Sequence, residues 1–205
     1  MTFMAATVTP EFAQVSQDAL VAWADGESAP VELVRGCKLI VLERRRVVVA
    51  GTGSLGVHLA FRAALEAAEF RDVVELDRMA PRLLGVLLAW ARGQHTEPQS
   101  YQCIVAGWDR HLWRPAAFVY SDDDAFRSQR GAVHACRPEP DTSADDYPAL
   151  PSMLVPATQG VGTEEFHVAL AQNARRAHPA VIGGELHTAR IDHEGVHVRV
   201  ACSLM

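Results

Sequence analysis

Short runs of β-forming residues fill the first fifty positions of the chain. They are TFMAATVT from Thr2, ALVAWADG from Ala19, CKLIVLE from Cys37 and RRVVVAG from Arg45. Only a few charged residues separate the last two runs, which is typical of an antiparallel pair. The segment Pro10–Asp18 is interpreted as a loop between the first two strands.

Two helices are predicted after these strands. Apolar residues recur at helical spacing from Leu55 to Ala68, and a second helix is predicted from Asp77 to Arg92. Pro81 then falls near the first turn of the second helix, where a missing N–H costs least. Both segments are apolar over much of their surface, so we expect them to pack against a sheet.

Strands return in the second half of the chain. QCIVAGWD and LWRPAAFVYS flank a turn at Asp109–His111 and predict a hairpin, and GAVHAC predicts a further short strand. A proline-rich surface loop is expected from Arg137 to Pro156, followed by a third helix with Thr163 as its N-cap. A last hairpin is expected around Asp192–Gly195. This order predicts antiparallel sheets covered by helices, an α+β fold.

Length and composition restrict the class of protein. A chain of 205 residues with 49% hydrophobic and 21% charged residues fits one globular domain, which we assign to residues 1–205. The net charge of −6 argues against a nucleic-acid partner. No apolar run reaches the roughly 18 residues of a membrane-spanning helix. Four widely spaced cysteines without a CxxC pair suggest reduced thiols and a cytoplasmic protein.

The most conspicuous motif is GTGSLG, in which Gly51, Gly53 and Gly56 match G-x-G-x-x-G. After a strand and before a helix, this pattern is typical of dinucleotide-binding sites. In such folds, however, the motif follows the first strand and further βα repeats come after it. Here four β runs precede the first helix, so the motif alone does not favour a nucleotide-binding enzyme. That function is kept as the third alternative.

Two groups of potential metal ligands have simpler interpretations. His187, His193 and His197 lie in or around the last predicted hairpin, with His193 in its turn, so His187 and His197 are not obvious cross-strand partners. The run Asp122–Asp124 at a strand end is interpreted as a solvated turn. We therefore predict neither a metal nor another cofactor.

Two residues stand out as candidates for catalysis. Of the nineteen basic residues, eighteen are arginine and one is lysine, Lys38. A lysine amine can shift its pKa or give up a proton, whereas an arginine side chain cannot. Thr2 follows Met1, and methionine aminopeptidase generally removes Met before so small a residue. Thr2 would then combine a hydroxyl nucleophile with an α-amine whose pKa of about 8 suits a general base.

In order along the chain, these features resemble proteasome β-type subunits and the peptidase subunit of the bacterial two-component ATP-dependent protease. Thr2 opens the first strand, an Ala-Asp-Gly turn contains Asp25, and Lys38 begins the next hairpin. Gly53 follows Lys38 by fifteen residues, close to the family spacing between the catalytic lysine and the oxyanion-hole glycine. CIVAGWDRHLWRPAAFVYS and IGGELHTARIDHEGV are similar to two later hairpins of the family.

The resemblance implies a four-layer α-β-β-α sandwich of two antiparallel sheets and a threonine endopeptidase. Thr2 would be the nucleophile and base, Asp25 would hold Lys38 charged beside it, and the Gly53 N–H would stabilise the oxyanion. It also implies a homo-oligomer, a hexameric or heptameric ring either single or stacked. The substrate would be a peptide or an unfolded protein, which an ATPase unfoldase could supply.

The second alternative is a catalytically silent ring or scaffold protein with the same fold. The proteasomal branch carries an Arg-Asp-Ala-x-Ser-Gly-Gly stretch whose Asp and Ser support the terminal amine. The matching RAHPAVIGG has His178 or Pro179 in place of the Asp and Ile182 in place of the Ser. Chemistry at Thr2 is therefore what separates the two hypotheses.

Overall fold

The computed structural model describes residues 2–23, 31–94, 99–131, 133–136 and 163–204, with backbone only at 21–23, 31–35, 133–136 and 163. These residues form twelve β-strands and three α-helices. The strands are β1 (Met4–Val8), β2 (Ala13–Asp18), β3 (Leu20–Trp23), β4 (Val31–Arg35), β5 (Ile40–Leu42), β6 (Val47–Gly53), β7 (Tyr101–Asp109), β8 (Arg114–Ser121), β9 (Gln129–Arg130), β10 (Val133–Cys136), β11 (Gly184–Ile191) and β12 (Val196–Leu204). The helices are α1 (Leu55–Ala67), α2 (Val73–Gln94) and α3 (Thr163–Ala177).

Within the described residues, two five-stranded sheets carry most of the strands. Sheet I has the order β10-β1-β2-β11-β12, and sheet II has the order β5-β6-β7-β8-β9. Every neighbouring pair in both sheets is antiparallel, and β3 and β4 form a separate two-stranded ribbon. The expected α+β class with antiparallel sheets is therefore confirmed, as are the pairing of β5 with β6 and the last two hairpins.

Three apolar clusters show how the elements pack. The first joins α1 and α2 to one face of sheet II through residues such as Phe61, Leu84 and Tyr120. The second, which includes Met4 and Ile104, lies between the two sheets. The third packs α3 against the other face of sheet I. Burial of apolar surface on both faces of each sheet therefore fixes how helices and sheets are layered.

Strand β2 corrects the expected loop at Pro10–Asp18. The sequence AQVSQD is rich in polar residues, which made a strand hard to recognise. In the structure its apolar residues Ala13 and Val15 join the cluster between the sheets, while Ser16 and Asp18 on the other face are buried with hydrogen-bond partners. Tertiary burial, rather than intrinsic propensity, makes this segment a strand.

The second helix begins earlier than the sequence indicated. The Asp72 carboxylate accepts hydrogen bonds from the N–H groups of Val74 and Glu75, at 3.0 Å each, and so caps the N-terminus of α2. Pro81 consequently lies inside the helix, and not near its first turn. The first helix, by contrast, starts at the predicted Leu55, with the Ser54 hydroxyl as its cap. The third begins at Thr163 itself, one residue earlier than expected, so Thr163 is the first residue of the helix and not its N-cap.

GAVHAC contains strand β10, as predicted, whereas the whole of the expected loop from Arg137 to Pro156 lies outside the described residues. In the described part of the chain, no helix combines the length and the apolar character needed to cross a membrane.

Candidate active site

Thr2 lies just before β1, at one end of the two sheets, with only 4% of its surface exposed. Its hydroxyl donates a hydrogen bond to Oδ1 of Asp18, with an oxygen–oxygen distance of 2.6 Å. The β1–β2 register explains this contact, because Met4 pairs with Gln17 and the start of β1 therefore lies beside the end of β2. The hairpin thus places a hydroxyl and a carboxylate together.

The Lys38 ammonium reaches the same point from the segment before β5. Its Nζ donates to Thr2 Oγ1, to Asp18 Oδ1 at 3.2 Å and to the Leu20 carbonyl at 2.7 Å. Burial lowers the pKa of Lys38 below its usual range, while the Asp18 carboxylate raises it again in part. The one lysine of the chain is therefore in contact with the Thr2 hydroxyl in a largely water-excluded site.

Asp18 is fully buried and holds the site together. Its Oδ1 accepts the Thr2 hydroxyl, the Phe3 N–H at 2.8 Å and Lys38, and its Oδ2 accepts the Gly183 N–H at 3.3 Å. A buried carboxylate requires such partners, since an unpaired one would be costly. Asp18 connects β1, β2, Lys38 and the segment before β11.

The structure gives to Asp18 the contact with Lys38 that the sequence assigned to Asp25. Asp25 itself lies outside the described residues. Asp18 was missed because β2 was not recognised as a strand. Had AQVSQD been paired with the first strand, Asp18 would have fallen opposite Phe3, next to Thr2.

The expected oxyanion-hole glycine, Gly53, is the last residue of β6 and has a φ of +94°. A Cβ here would come within 2.3 Å of the Ser100 carbonyl oxygen, so the position requires glycine. In the described part of the chain, the hydrogen bonds of Thr2 and Lys38 do not include Gly53. Its role toward an oxyanion stays a prediction.

The Gly51 carbonyl is bound by a residue next to Asp18, a contact that the sequence did not predict. The Gln17 side-chain amide, next to Asp18, donates to the Gly51 carbonyl at 2.5 Å. A Cβ on Gly51 would lie 2.5 Å from both His58 Nδ1 and the Tyr101 hydroxyl. Gly51 therefore allows His58 and Tyr101 to approach the end of β6.

His58 links helix α1 to the backbone of Lys38. Its Nε2 lies 2.8 Å from the Lys38 carbonyl oxygen and its Nδ1 lies 2.7 Å from the Tyr101 hydroxyl. A carbonyl only accepts, so Nε2 carries the proton and Nδ1 accepts from Tyr101. Burial lowers the pKa of His58 and raises that of Tyr101, which keeps both groups in these neutral forms. These two hydrogen bonds hold the backbone of Lys38 in place against helix α1 and strand β7.

No model of a known protein family matches this chain, and no curated protein matches it.

We expect the variant His58→Leu to lose about 1–3 kcal/mol of unfolding free energy, because the Lys38 carbonyl would lose the donor and the Tyr101 hydroxyl the acceptor that His58 supplies. His58→Gln, which keeps an amide donor, should lose less. Urea denaturation of the two variants measures the difference. Equal losses would show that packing, not hydrogen bonding, is what His58 contributes.

The glycine motif lies in an antiparallel setting. Strand β6, which ends at Gly53, pairs antiparallel with both β5 and β7. A dinucleotide-binding motif instead follows a strand of a parallel sheet. The Gly51 and Gly53 contacts described above are with protein side chains and backbone. The strand arrangement therefore does not favour the nucleotide-binding alternative.

The other candidate ligands are distributed as follows. His187 pairs with Val200 and His197 with Arg190, so the two histidines are not cross-strand partners, as predicted. Asp192, Glu194 and His197 lie close enough to share an ion, but Asp192 is bonded to the Arg190 guanidinium and to two N–H groups of its own turn. The group is explained by the hairpin turn.

Residues Asp122–Asp124 form a turn after β8, as predicted, but they are not merely solvated. Asp122 accepts the Tyr101 N–H at 3.0 Å and forms an ion pair with Arg92 at 2.9 Å. Asp123 accepts from the side chains of Ser121 and Gln102. These carboxylates anchor the start of β7 to the end of β8.

His167 on α3 was not singled out by the sequence. It is completely buried, with Nδ1 2.6 Å from the Ser16 hydroxyl and Nε2 2.9 Å from the Thr7 hydroxyl. Burial lowers its pKa to about 3. It attaches α3 to β1 and β2, the two strands that position Thr2 and Asp18.

His167 predicts a specific pH dependence of stability. Below the unfolded-state pKa of about 6.5, the unfolded chain binds a proton that the folded chain does not. The free energy of unfolding therefore decreases as the pH is lowered. The fall should approach about 1.4 kcal/mol per pH unit between pH 6 and pH 4 for this one group. His167→Gln keeps polar partners for Ser16 and Thr7 but cannot titrate. The unfolding free energy of His167→Gln, measured by urea denaturation at each pH, should therefore depend less steeply on pH than that of the wild type. An identical slope would show that His167 does not cause the pH dependence.

Proposed function

We propose that the chain is a threonine-type N-terminal-nucleophile hydrolase with a proteasome-like α-β-β-α sandwich, and that it acts as a cytoplasmic peptidase. The observation that carries the proposal is the contact of the Thr2 hydroxyl with the Lys38 ammonium and the Asp18 carboxylate. Thr2 lies two residues before the first residue of β1, and removal of Met1 would free its amine. A desolvated amine beside a hydroxyl, held in place by a buried carboxylate, can activate that hydroxyl as a nucleophile.

In the proposed reaction, the Thr2 hydroxyl oxygen attacks a peptide carbonyl carbon and its proton passes to the Thr2 α-amine. Lys38 stabilises the developing alkoxide, and Asp18 keeps Lys38 in place. The backbone N–H of Gly53 is the proposed donor to the oxyanion. The α-ammonium then protonates the leaving amine, which departs as the C–N bond breaks. Water hydrolyses the resulting ester and restores Thr2.

A homo-oligomeric ring is part of the proposal, and exposed apolar residues on the helices support it. Leu55 and Leu59 are 43% and 54% exposed, one turn apart on α1. Val86 and Trp90 are 61% and 53% exposed, one turn apart on α2. Large apolar side chains exposed in neighbouring positions, one turn apart on a helix, are what a surface that packs against another subunit would present. An ATPase unfoldase remains a proposed further partner of such a ring.

One observation favours the alternative of a catalytically silent ring or scaffold protein. Ile182, which stands where the proteasomal branch has a serine, is completely buried and apolar. It offers no hydrogen bond to the Thr2 amine. Asp18 instead receives the adjacent Gly183 N–H, so this segment supports the carboxylate rather than the amine.

Hydrolysis by Thr2 variants tests the proposal. The wild type, Thr2→Ser and Thr2→Ala would be incubated with fluorogenic peptide amides bearing an apolar, basic or acidic residue before the amide, and with unfolded casein. We expect turnover by the wild type and by Thr2→Ser and none by Thr2→Ala. Equal turnover by Thr2→Ala would refute a Thr2 nucleophile. No turnover by any of them, with the oligomer intact, would favour the scaffold.

A further inference from the structure

Two turns meet at the end of sheet II that faces away from Lys38 and Gly53. Residues 43–46 connect β5 to β6, and residues 109–114 span the turn between β7 and β8. The Trp108 N–H donates to the Arg46 carbonyl at 3.0 Å, and the Arg110 guanidinium donates to the Arg44 carbonyl at 3.3 Å. The two turns therefore form one surface, here called the tip surface. The length of β6, about 20 Å, separates it from the candidate active site.

The tip surface exposes two large apolar side chains in a fixed arrangement. Trp113 is 65% exposed and Leu112 is 49% exposed. The Asp109 carboxylate accepts two N–H groups of the turn at 2.9 Å each, and Trp113 has a left-handed φ of 52°. The Trp113 ring packs edge-on against the buried Trp108, with centroids 5.9 Å apart. These contacts fix the turn in a conformation that leaves the side chains of Leu112 and Trp113 exposed.

The charge of the tip surface is opposite to that of the chain. The surface contains five of the eighteen arginines, although the net charge of the chain is −6. They are Arg44, Arg45, Arg46, Arg110 and Arg114. Its two acidic residues are Glu43 and Asp109, and the Asp109 carboxylate already binds the turn. Within the described residues, none of the five arginines forms an ion pair, although Arg45 binds the Leu65 carbonyl and the Phe70 ring.

We propose that the tip surface is a docking site for an acidic segment of a partner protein that also carries large apolar side chains. Arginine guanidinium groups bind carboxylates through paired hydrogen bonds, and exposed Trp and Arg dominate the binding energy of many interfaces. A second copy bound through the same surface would place five arginines against five. A nucleic acid would meet the overall negative charge and would gain little from Leu112.

The test uses the Thr2→Ala variant, so that no peptide is cleaved, and fluorescence anisotropy. The probe is a labelled twelve-residue peptide of repeated Glu-Asp-Leu. There are three control probes. In one peptide Lys replaces every acidic residue, in a second peptide Ser replaces every Leu, and the third probe is a labelled twelve-nucleotide single-stranded DNA. We expect the first peptide to bind at least tenfold more tightly than each of the other three. Its binding should weaken as salt is raised.

Matched substitutions locate the binding. Arg114→Glu and Trp113→Gly, in which glycine accommodates the left-handed backbone, should each weaken binding at least tenfold. Arg199→Glu and Val200→Ala, which change exposed residues of sheet I, should leave it unchanged. Circular dichroism would verify that all four remain folded.

Three results would overturn the proposal. These are no binding of the acidic peptide, equal or tighter binding of the DNA, or self-association in sedimentation that Trp113→Gly removes. None of them bears on the chemistry of Thr2, because the tip surface and the candidate active site are at opposite ends of sheet II. The docking site and the proposed hydrolase function therefore stand or fail separately.

Discussion

Replacing Lys38 by methionine should slow acylation of Thr2 by a factor of about 10²–10⁴, the usual contribution of one positioned acid or base. Methionine approximates the length of the side chain but removes the ammonium that contacts Thr2 Oγ1 and Asp18. The measurement is the rate at which a β-lactone forms a covalent adduct, followed by intact mass. We expect peptide hydrolysis to fall by a similar factor.

Lys38→Arg is the informative companion to this variant. Arginine keeps the positive charge beside Asp18, but it neither shifts its pKa readily nor gives up a proton. If Lys38 acts only as a charge, Lys38→Arg should recover much of the rate lost in Lys38→Met. If proton transfer is needed, both variants should be slow. A wild-type rate in Lys38→Met would remove Lys38 from the mechanism.

Removing the charge of Asp18 should have the largest effect on stability. In Asp18→Asn, the Lys38 ammonium would remain buried without its counter-charge, and breaking a buried ion pair from one side costs about 3–5 kcal/mol. The pKa of Lys38 should fall further, because the Asp18 charge and hydrogen bond are what raise it. Urea denaturation measures the loss of unfolding free energy.

A double-mutant cycle isolates the ion pair from the loss of other contacts. Asp18→Asn combined with Lys38→Met removes both charges and should be less destabilised than the sum of the two single variants. Additive effects would contradict a direct coupling between the two side chains. Arg62→Met provides a control, since Arg62 forms an exposed i,i+4 pair with Glu66 and such pairs contribute only about 0.3–0.5 kcal/mol.

The sequence predicted those elements whose local pattern agrees with their burial. The strands β5, β6 and β7 are short apolar runs bounded by charged or turn residues, and the helix at Leu55 has apolar residues at helical spacing. Lys38 was found by composition and Thr2 by its place at the start of the chain, and the structure brings the two into contact. For these residues, local information was sufficient.

What escaped prediction depends on contacts between distant parts of the chain. The strand containing Gln14, Ser16 and Asp18 has little local β-propensity, and it is buried only because α3 and sheet II cover its two faces. Because Asp18 is the last residue of that strand, its place in the site could not be predicted either. His58 and His167 looked like ordinary helix residues, because their partners lie on other elements. A single sequence does not reveal such pairs.

The most direct test of the central claim is the intact mass of the purified protein before and after incubation with a β-lactone. The account predicts loss of Met1 and one added inhibitor, which peptide mapping places on Thr2, with no adduct in Thr2→Ala. Retention of Met1 and absence of an adduct would contradict a live terminal nucleophile, and would leave the cluster of Thr2, Asp18 and Lys38 as a structural feature of a catalytically silent protein.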